Sequence, residues 1–258
     1  MGVLDTFRLD GRVALVTGGS RGLGLQIARG LGEAGAMVAI TARREPGLAE
    51  AVRELEADGI KAMAARCDIS RFEEVEAAVD HILAEWGHID VLVNNAGATW
   101  GAPFEALPLE AWDKVVRTNV DGTFFVSRQV GLHMIERGQG GRIINIASVA
   151  GLRGSDPEVM PTLPYNTSKG AVVNFTRALA ATLAQHNITV NCICPGFFPT
   201  KMTAATLGRM GDRIIAATPL RRVGGDQDLK GIAVLLASDA SAYITGQVIA
   251  VDGGATAI

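Results

Sequence analysis

Short, unbroken apolar runs alternate along the chain with longer stretches in which apolar residues recur every three or four positions. The first pattern reads as strand and the second as helix. Strands are predicted at Val13–Thr17, Met37–Thr41, Lys61–Arg66, Asp90–Asn94, Arg142–Ile146, Thr189–Ile193 and Val248–Val251. Helices are predicted at Gly22–Ala34, from the second strand to about Asp58, and at Phe72–Trp86, Leu109–Arg137, Tyr165–His186 and Asp226–Ser238. The runs VALV, VLV and IINI do not alternate with polar residues, as expected of strands covered on both faces. Regular strand–helix alternation implies an α/β fold, a parallel sheet of seven strands doubly wound by helices. No linker, repeat or charge block divides the chain, so residues 1–258 read as one domain. In such a sheet, ligands bind beyond the C-terminal ends of the strands.

Charge narrows the function. Lys and Arg total 24 against 27 Asp and Glu, a net charge of −3. That near balance lacks the basic footprint of a nucleic-acid binder or of a protein docking on an anionic membrane. With 48% hydrophobic residues the chain can bury a large core. The N-terminal stretch MGVLDTFRLDGR has no basic head leading into a long apolar run, so no signal peptide is expected. No apolar run approaches the roughly 18 residues needed to span a bilayer. The cysteines, Cys67, Cys192 and Cys194, lack metal-ligand spacing, so no metal site is expected. They suit a reducing, cytoplasmic setting, with Cys192 and Cys194 as small core residues on one strand face.

Glycine is abundant, with 31 residues. Several cluster where the first strand meets the first helix, in Thr17-Gly18-Gly19-Ser20-Arg21-Gly22-Leu23-Gly24. Glycines there let the backbone approach a pyrophosphate, at which the next helix points its N-terminal amides. The spacing is T-G-x-x-x-G-x-G, and no G-x-x-x-x-G-K-[ST] occurs, which argues against a P-loop. The same residues also fit G-x-S-x-G, the nucleophile elbow of a hydrolase. That reading fails because no earlier strands supply an oxyanion loop, and His81, His88, His133 and His186 sit in no matching context.

Beyond this turn the chain resembles the short-chain dehydrogenase/reductase family from end to end. The resemblance is carried, in order, by TGGSRGLG at 17–24, CDIS at 67–70, NNAG at 94–97 and Asn119. It continues through INIASVAG at 144–151, YNTSK at 165–169, PGFFPT at 195–200 and GQVIAVDGG at 246–254. It implies a Rossmann fold and a catalytic set of Asn119, Ser148, Tyr165 and Lys169. Tyr165 would exchange a proton with the substrate oxygen, Ser148 would hold that oxygen, and Asn119 would position Lys169 through a water-linked relay. Tyr165 and Lys169, four apart, share a helix face. Bringing a tyrosine of pKa ~10 to near neutrality takes about 4 kcal/mol. An ammonium at ~6 Å supplies about 3 kcal/mol at an effective dielectric of ~20. Lys169 is thus expected to acidify Tyr165 almost unaided, with the oxidised nicotinamide adding the rest. The interval from Ser148 to Tyr165 is longer than the family commonly shows, and the excess in Ser155–Pro161 reads as a substrate-side loop.

By the same resemblance, the dinucleotide would contact Gly18, Ser20, Arg21, Gly22, Leu23, Gly24, Ile69, Asn95, Ala96, Gly97, Tyr165, Lys169, Pro195, Gly196, Phe198 and Thr200. Asp68 reads either as an adenine contact or as a helix-start acid. Asn94 is expected to bond neighbouring backbone. Ala42 occupies the family's acidic position for NAD, and Arg43 and Arg44 follow it. With Arg21, their guanidinium groups suit a 2′-phosphate, so NADP(H) is the expected cofactor. Substrate-side positions are Thr99, Trp100, Val149, Met160, Phe197, Met202 and, on its other side, Phe198. Their apolar character favours a neutral ketone or acyl chain. Reductases of 3-oxoacyl thioesters and gluconate 5-dehydrogenase-like enzymes both fit. A cofactor-binding regulator without turnover is the reading from another class. A homotetramer is expected by resemblance.

Overall fold

The computed structural model describes residues 2–258. One parallel sheet runs in the order β3-β2-β1-β4-β5-β6-β7. Its strands are β1 (Val13–Thr17), β2 (Met37–Ala42), β3 (Ala62–Arg66), β4 (Val91–Asn94), β5 (Gly141–Ile146), β6 (Ile188–Pro195) and β7 (Val248–Val251). The order reverses between β1 and β4, which opens a crevice at their C-terminal ends. The helices are α1 (Gly22–Glu33), α2 (Glu45–Ala57), α3 (Phe72–Trp86), α4 (Leu109–Val116), α5 (Gly122–Arg137), α6 (Leu163–Leu183), α7 (Ala204–Ala217) and α8 (Lys230–Ala237). No helix among the described residues is long and apolar enough to cross a membrane.

The unbroken apolar strands follow from two cores, one on each face. In β1, Ala14 and Val16 join Ile27 and Leu31 of α1, Leu48 and Leu55 of α2 and Leu236 of α8. Val13 and Leu15 point the other way, into a core with Val75 and Ile82 of α3, Val126 and Met134 of α5 and Leu183 of α6. With both faces buried, neither side chain of a successive pair can be polar.

Asparagines of the central strands enter this layer as a bonded set. Asn94 and Asn145 are register partners on β4 and β5. Asn94 Nδ2 donates to Ser127 Oγ at 2.8 Å and to Asn145 Oδ1 at 2.9 Å. Asn145 Nδ2 donates in turn to Thr176 Oγ1 at 2.9 Å. Asn94 thus ties side chains together across the sheet, not neighbouring backbone as its place at a strand end suggests.

Four elements depart from the pattern in the sequence. The stretch Leu109–Arg137 is not one α-helix: a π turn at Arg117–Asp121 separates α4 from α5. The last helix begins at Lys230, because residues 226–229 form a turn in which Asp228 accepts from Gly225 N and pairs with Arg222. The sixth strand runs on to Pro195, carrying its end to the crevice. Helix α7 is absent from the predicted elements. Leu207, Met210 and Ile214 have helical spacing, but Gly208 and Gly211 lower the propensity, and only Ile214 is buried.

Candidate active site

A cleft of about 1000 Å³ opens at the C-terminal edge of the sheet. One wall is the turn after β1. Gly18 has φ +65°, and a Cβ there would lie 2.9 Å from the Ala96 Cα, so only glycine fits both the backbone and the space. Asn95 holds the turn from below: its Nδ2 donates to Thr17 O at 2.9 Å and to Gly18 O at 3.2 Å. Thr17 Oγ1 accepts from the amides of Asn95 and Ala96 at 3.0 and 3.1 Å. Asn95 also lines the cleft, but its amide braces the turn.

Gly18, Ser20, Arg21, Gly22, Leu23 and Gly24 line this wall, together with Arg43, Asp68, Ile69, Ala96 and Gly97. Pro195, Gly196, Phe198 and Thr200 line it farther along. The Oδ1 of Asp68 also accepts from Ser70 N and Oγ ahead of α3. Arg21 and Arg43 make no ion pair among the described residues, and Glu45 does not neutralise either. Arg44 departs from expectation. It is the exposed residue that caps α2 and does not line the cleft, because its backbone turns away to start the helix.

Ser148, Tyr165 and Lys169 converge on the same cleft. Ser148 stands just past the end of β5, where its Oγ accepts from Ala150 N at 3.1 Å and keeps its own hydrogen free to donate. The turn it starts packs tightly on α6: a Cβ on Gly151 would lie 2.5 Å from the Lys169 carbonyl carbon. Lys169 is buried, and its Nζ donates to Ile146 O at 2.7 Å and lies 5.6 Å from the Tyr165 ring centre. Burial lowers the Lys169 pKa to about 8.

Tyr165 corrects an expectation. Burial pushes its phenol above the ordinary value, while the Ser148 hydroxyl beside it pulls the other way. The desolvation that comes with the buried site outweighs what stabilises the tyrosinate, so the chain alone does not bring the phenol below its ordinary value.

Asn119 stands behind the loop after β4. It is buried in the π turn, with Oδ1 accepting from Ala98 N at 2.7 Å and Nδ2 donating to Ala98 O and Ser168 Oγ, both at 2.9 Å. Its side chain thereby braces the loop after β4 against α6. The π turn is what aims the side chain inward, and the Asn within TNVDG is the only trace of it in the sequence.

On the substrate side, Thr99 and Met202 line the cleft. Val149 and Phe197 instead line a second cavity of about 530 Å³ that shares Gly196 and Phe198 with the first. Trp100 and Met160 line neither cavity. They lie on two loops that pair with each other through Ala102 N and Pro161 O at 2.9 Å, and Trp100 is exposed. Lys201 and Thr203, in the lead-in to α7, and Ala204 and Leu207, on α7 itself, also line the cleft; the last two were not legible because α7 was not. No histidine lines either cavity, which leaves Ser20 without a base. Cys192 and Cys194 are buried on one face of β6, their sulfurs 3.8 Å apart.

The short chain dehydrogenase family model matches residues 12–209. Gluconate 5-dehydrogenase of Gluconobacter oxydans is 41% identical over 98% of this chain and 97% of its own. The 3-oxoacyl-(acyl-carrier-protein) reductase of Chlamydia trachomatis is 40% identical, covering 95% and 98%. A crystal structure of a gluconate 5-dehydrogenase from Burkholderia cenocepacia, in complex with NADP and tartrate, superimposes with a TM-score of 0.94 at 41% identity, covering all of both chains.

Proposed function

The chain belongs to the short-chain dehydrogenase family, and from that premise we propose that Tyr165, Ser148 and Lys169 carry an NADP(H)-dependent reduction of a ketone, or the reverse oxidation of a secondary alcohol. The convergence of these three side chains on one cleft carries the reading. The residues of the cleft fit the cofactor. Gly18 and Gly22 take φ of +65° and +55°, which lets the backbone of the turn line the cleft, and Arg21 and Arg43 are uncommitted cations on the same wall, suited to a 2′-phosphate. Bound, NADPH supplies the hydride. Tyr165 Oη gives its proton to the carbonyl oxygen as that oxygen gains charge. Ser148 Oγ donates a hydrogen bond to the same oxygen. Lys169 Nζ stabilises the tyrosinate that remains, and Asn119 holds the loop after β4 in place.

Thr99, Phe198, Met202 and Leu207 give the cleft an apolar substrate side, which favours a small ketone or a 3-oxoacyl thioester. A gluconate-type sugar acid is the second reading, supported by the 41% identical gluconate 5-dehydrogenases. A homotetramer is in keeping with half-exposed Phe124 and Leu132 on α5, and a cytoplasmic setting with three unpaired cysteines.

A panel of ketones and alcohols, read by NADPH consumption or formation, tests the reading. Tyr165→Phe is expected to lower kcat by about 10³-fold while cofactor affinity stays within about twofold. Wild type and variant equally inactive across the panel would favour a cofactor-binding regulator.

A further inference from the structure

The long interval between Ser148 and Tyr165 folds into a turn of its own. Glu158 N donates to Asp156 Oδ1 at 2.9 Å, and the amides of Val159 and Met160 donate to Asp156 O. The turn is fixed on two sides. Asn166 Nδ2, on α6, donates to Ser155 Oγ at 2.8 Å, and Pro161 O accepts from Ala102 N. On a third side it meets α7, where the Arg213 guanidinium forks between Asp156 Oδ2 at 2.7 Å and Glu158 Oε2 at 3.0 Å.

Helix α7 has little else to hold it. Over fourteen residues it buries only Ile214, so apolar burial contributes little to keeping it in place. Yet α7 and its lead-in form cleft wall, through Met202, Thr203, Ala204 and Leu207. Arg213 adjoins the one buried residue, so the fork and the apolar anchor act on the same helical turn. The fork ties a weakly held wall to a firmly held turn.

We propose that Arg213 is a positioning residue: by strapping α7 to the 153–162 turn through Asp156 and Glu158, it keeps the Met202–Leu207 wall closed over the substrate and sets how readily the cleft opens. The kinetic consequence rests on the reductase reading, whereas the strap itself does not.

Two measurements test it. In Arg213→Glu three carboxylates face one another, and amide hydrogen exchange across residues 201–213 is expected to rise at least about fivefold at low salt. Fivefold is ~1 kcal/mol at 1.4 kcal/mol per tenfold, the upper end for exposed pairs. The KM for a ketone substrate should rise by a similar factor with kcat unchanged or higher, and the wild-type KM should climb with added salt. The triple variant Asp156→Arg, Glu158→Arg, Arg213→Glu reverses every charge and should restore both values. Unchanged exchange in Arg213→Glu, or failure of the triple variant to restore it, would overturn the strap. A chain that reduces no ketone yet shows the exchange pattern would sink the reductase reading alone.

Discussion

The cleft wall from Gly18 to Gly24 hangs on backbone groups: Asn95 clamps it from below, and Gly24 is buried against it. The wall from Met202 to Leu207 contains no buried residue, and its helix is held by a guanidinium fork and one isoleucine. The two walls serve ligands of different kinds. A dinucleotide presents the same pyrophosphate and ribose groups in either oxidation state, so its wall can be rigid and preorganised. A substrate must enter and leave, so its wall must open at modest cost. The difference is one of energetic currency: close-packed backbone on one side, screened charge on the other.

The largest expected effect within this contrast falls on the rigid wall. Arg43→Ala removes a charge-assisted contact worth about 1.5–3 kcal/mol. It is expected to weaken NADPH binding by about ten- to a hundredfold and leave NADH binding nearly unchanged, as fluorescence titration would read. Equal losses for both cofactors would take Arg43 away from the 2′-phosphate.

Glycine-to-alanine substitutions sharpen the comparison. At Gly24 a Cβ would stand 2.4 Å from both Asn95 Nδ2 and Gly18 O. Gly24→Ala is therefore expected to lose about 1–3 kcal/mol in denaturant unfolding, the usual cost of overpacking. On α7, a Cβ at Gly208 meets nothing within 4 Å. Gly208→Ala is expected to gain up to ~1 kcal/mol of helix stability and to slow exchange on α7. The same sign at both positions would erase the distinction between the walls.

The rigid side was also the legible side. Its strands are apolar on both faces, and its glycines are demanded by backbone geometry, so composition alone marks Val13–Gly24. Ser148, Tyr165 and Lys169 were legible through the resemblance carried by INIASVAG and YNTSK, with which the four-residue spacing of Tyr165 and Lys169 agrees. What escaped was set by distant partners. The inward aim of Asn119 depends on a π turn that no local pattern announces. Helix α7 is written in weak, glycine-interrupted periodicity, and its anchor, Arg213, has partners more than fifty residues away. Trp100 and Met160 read as substrate contacts by their apolar type, but loop pairing takes them out of the cleft.

The catalytic claim meets its sharpest test at Tyr165, whose phenol the protein's own burial keeps protonated. The chain has two tyrosines, so a Tyr243→Phe background leaves Tyr165 as the sole phenol. Tyrosinate absorbance can then be titrated with and without saturating NADP⁺. The account predicts that the ionisation moves to distinctly lower pH when the positively charged nicotinamide is bound beside the phenol. An ionisation that stays where it was would contradict it.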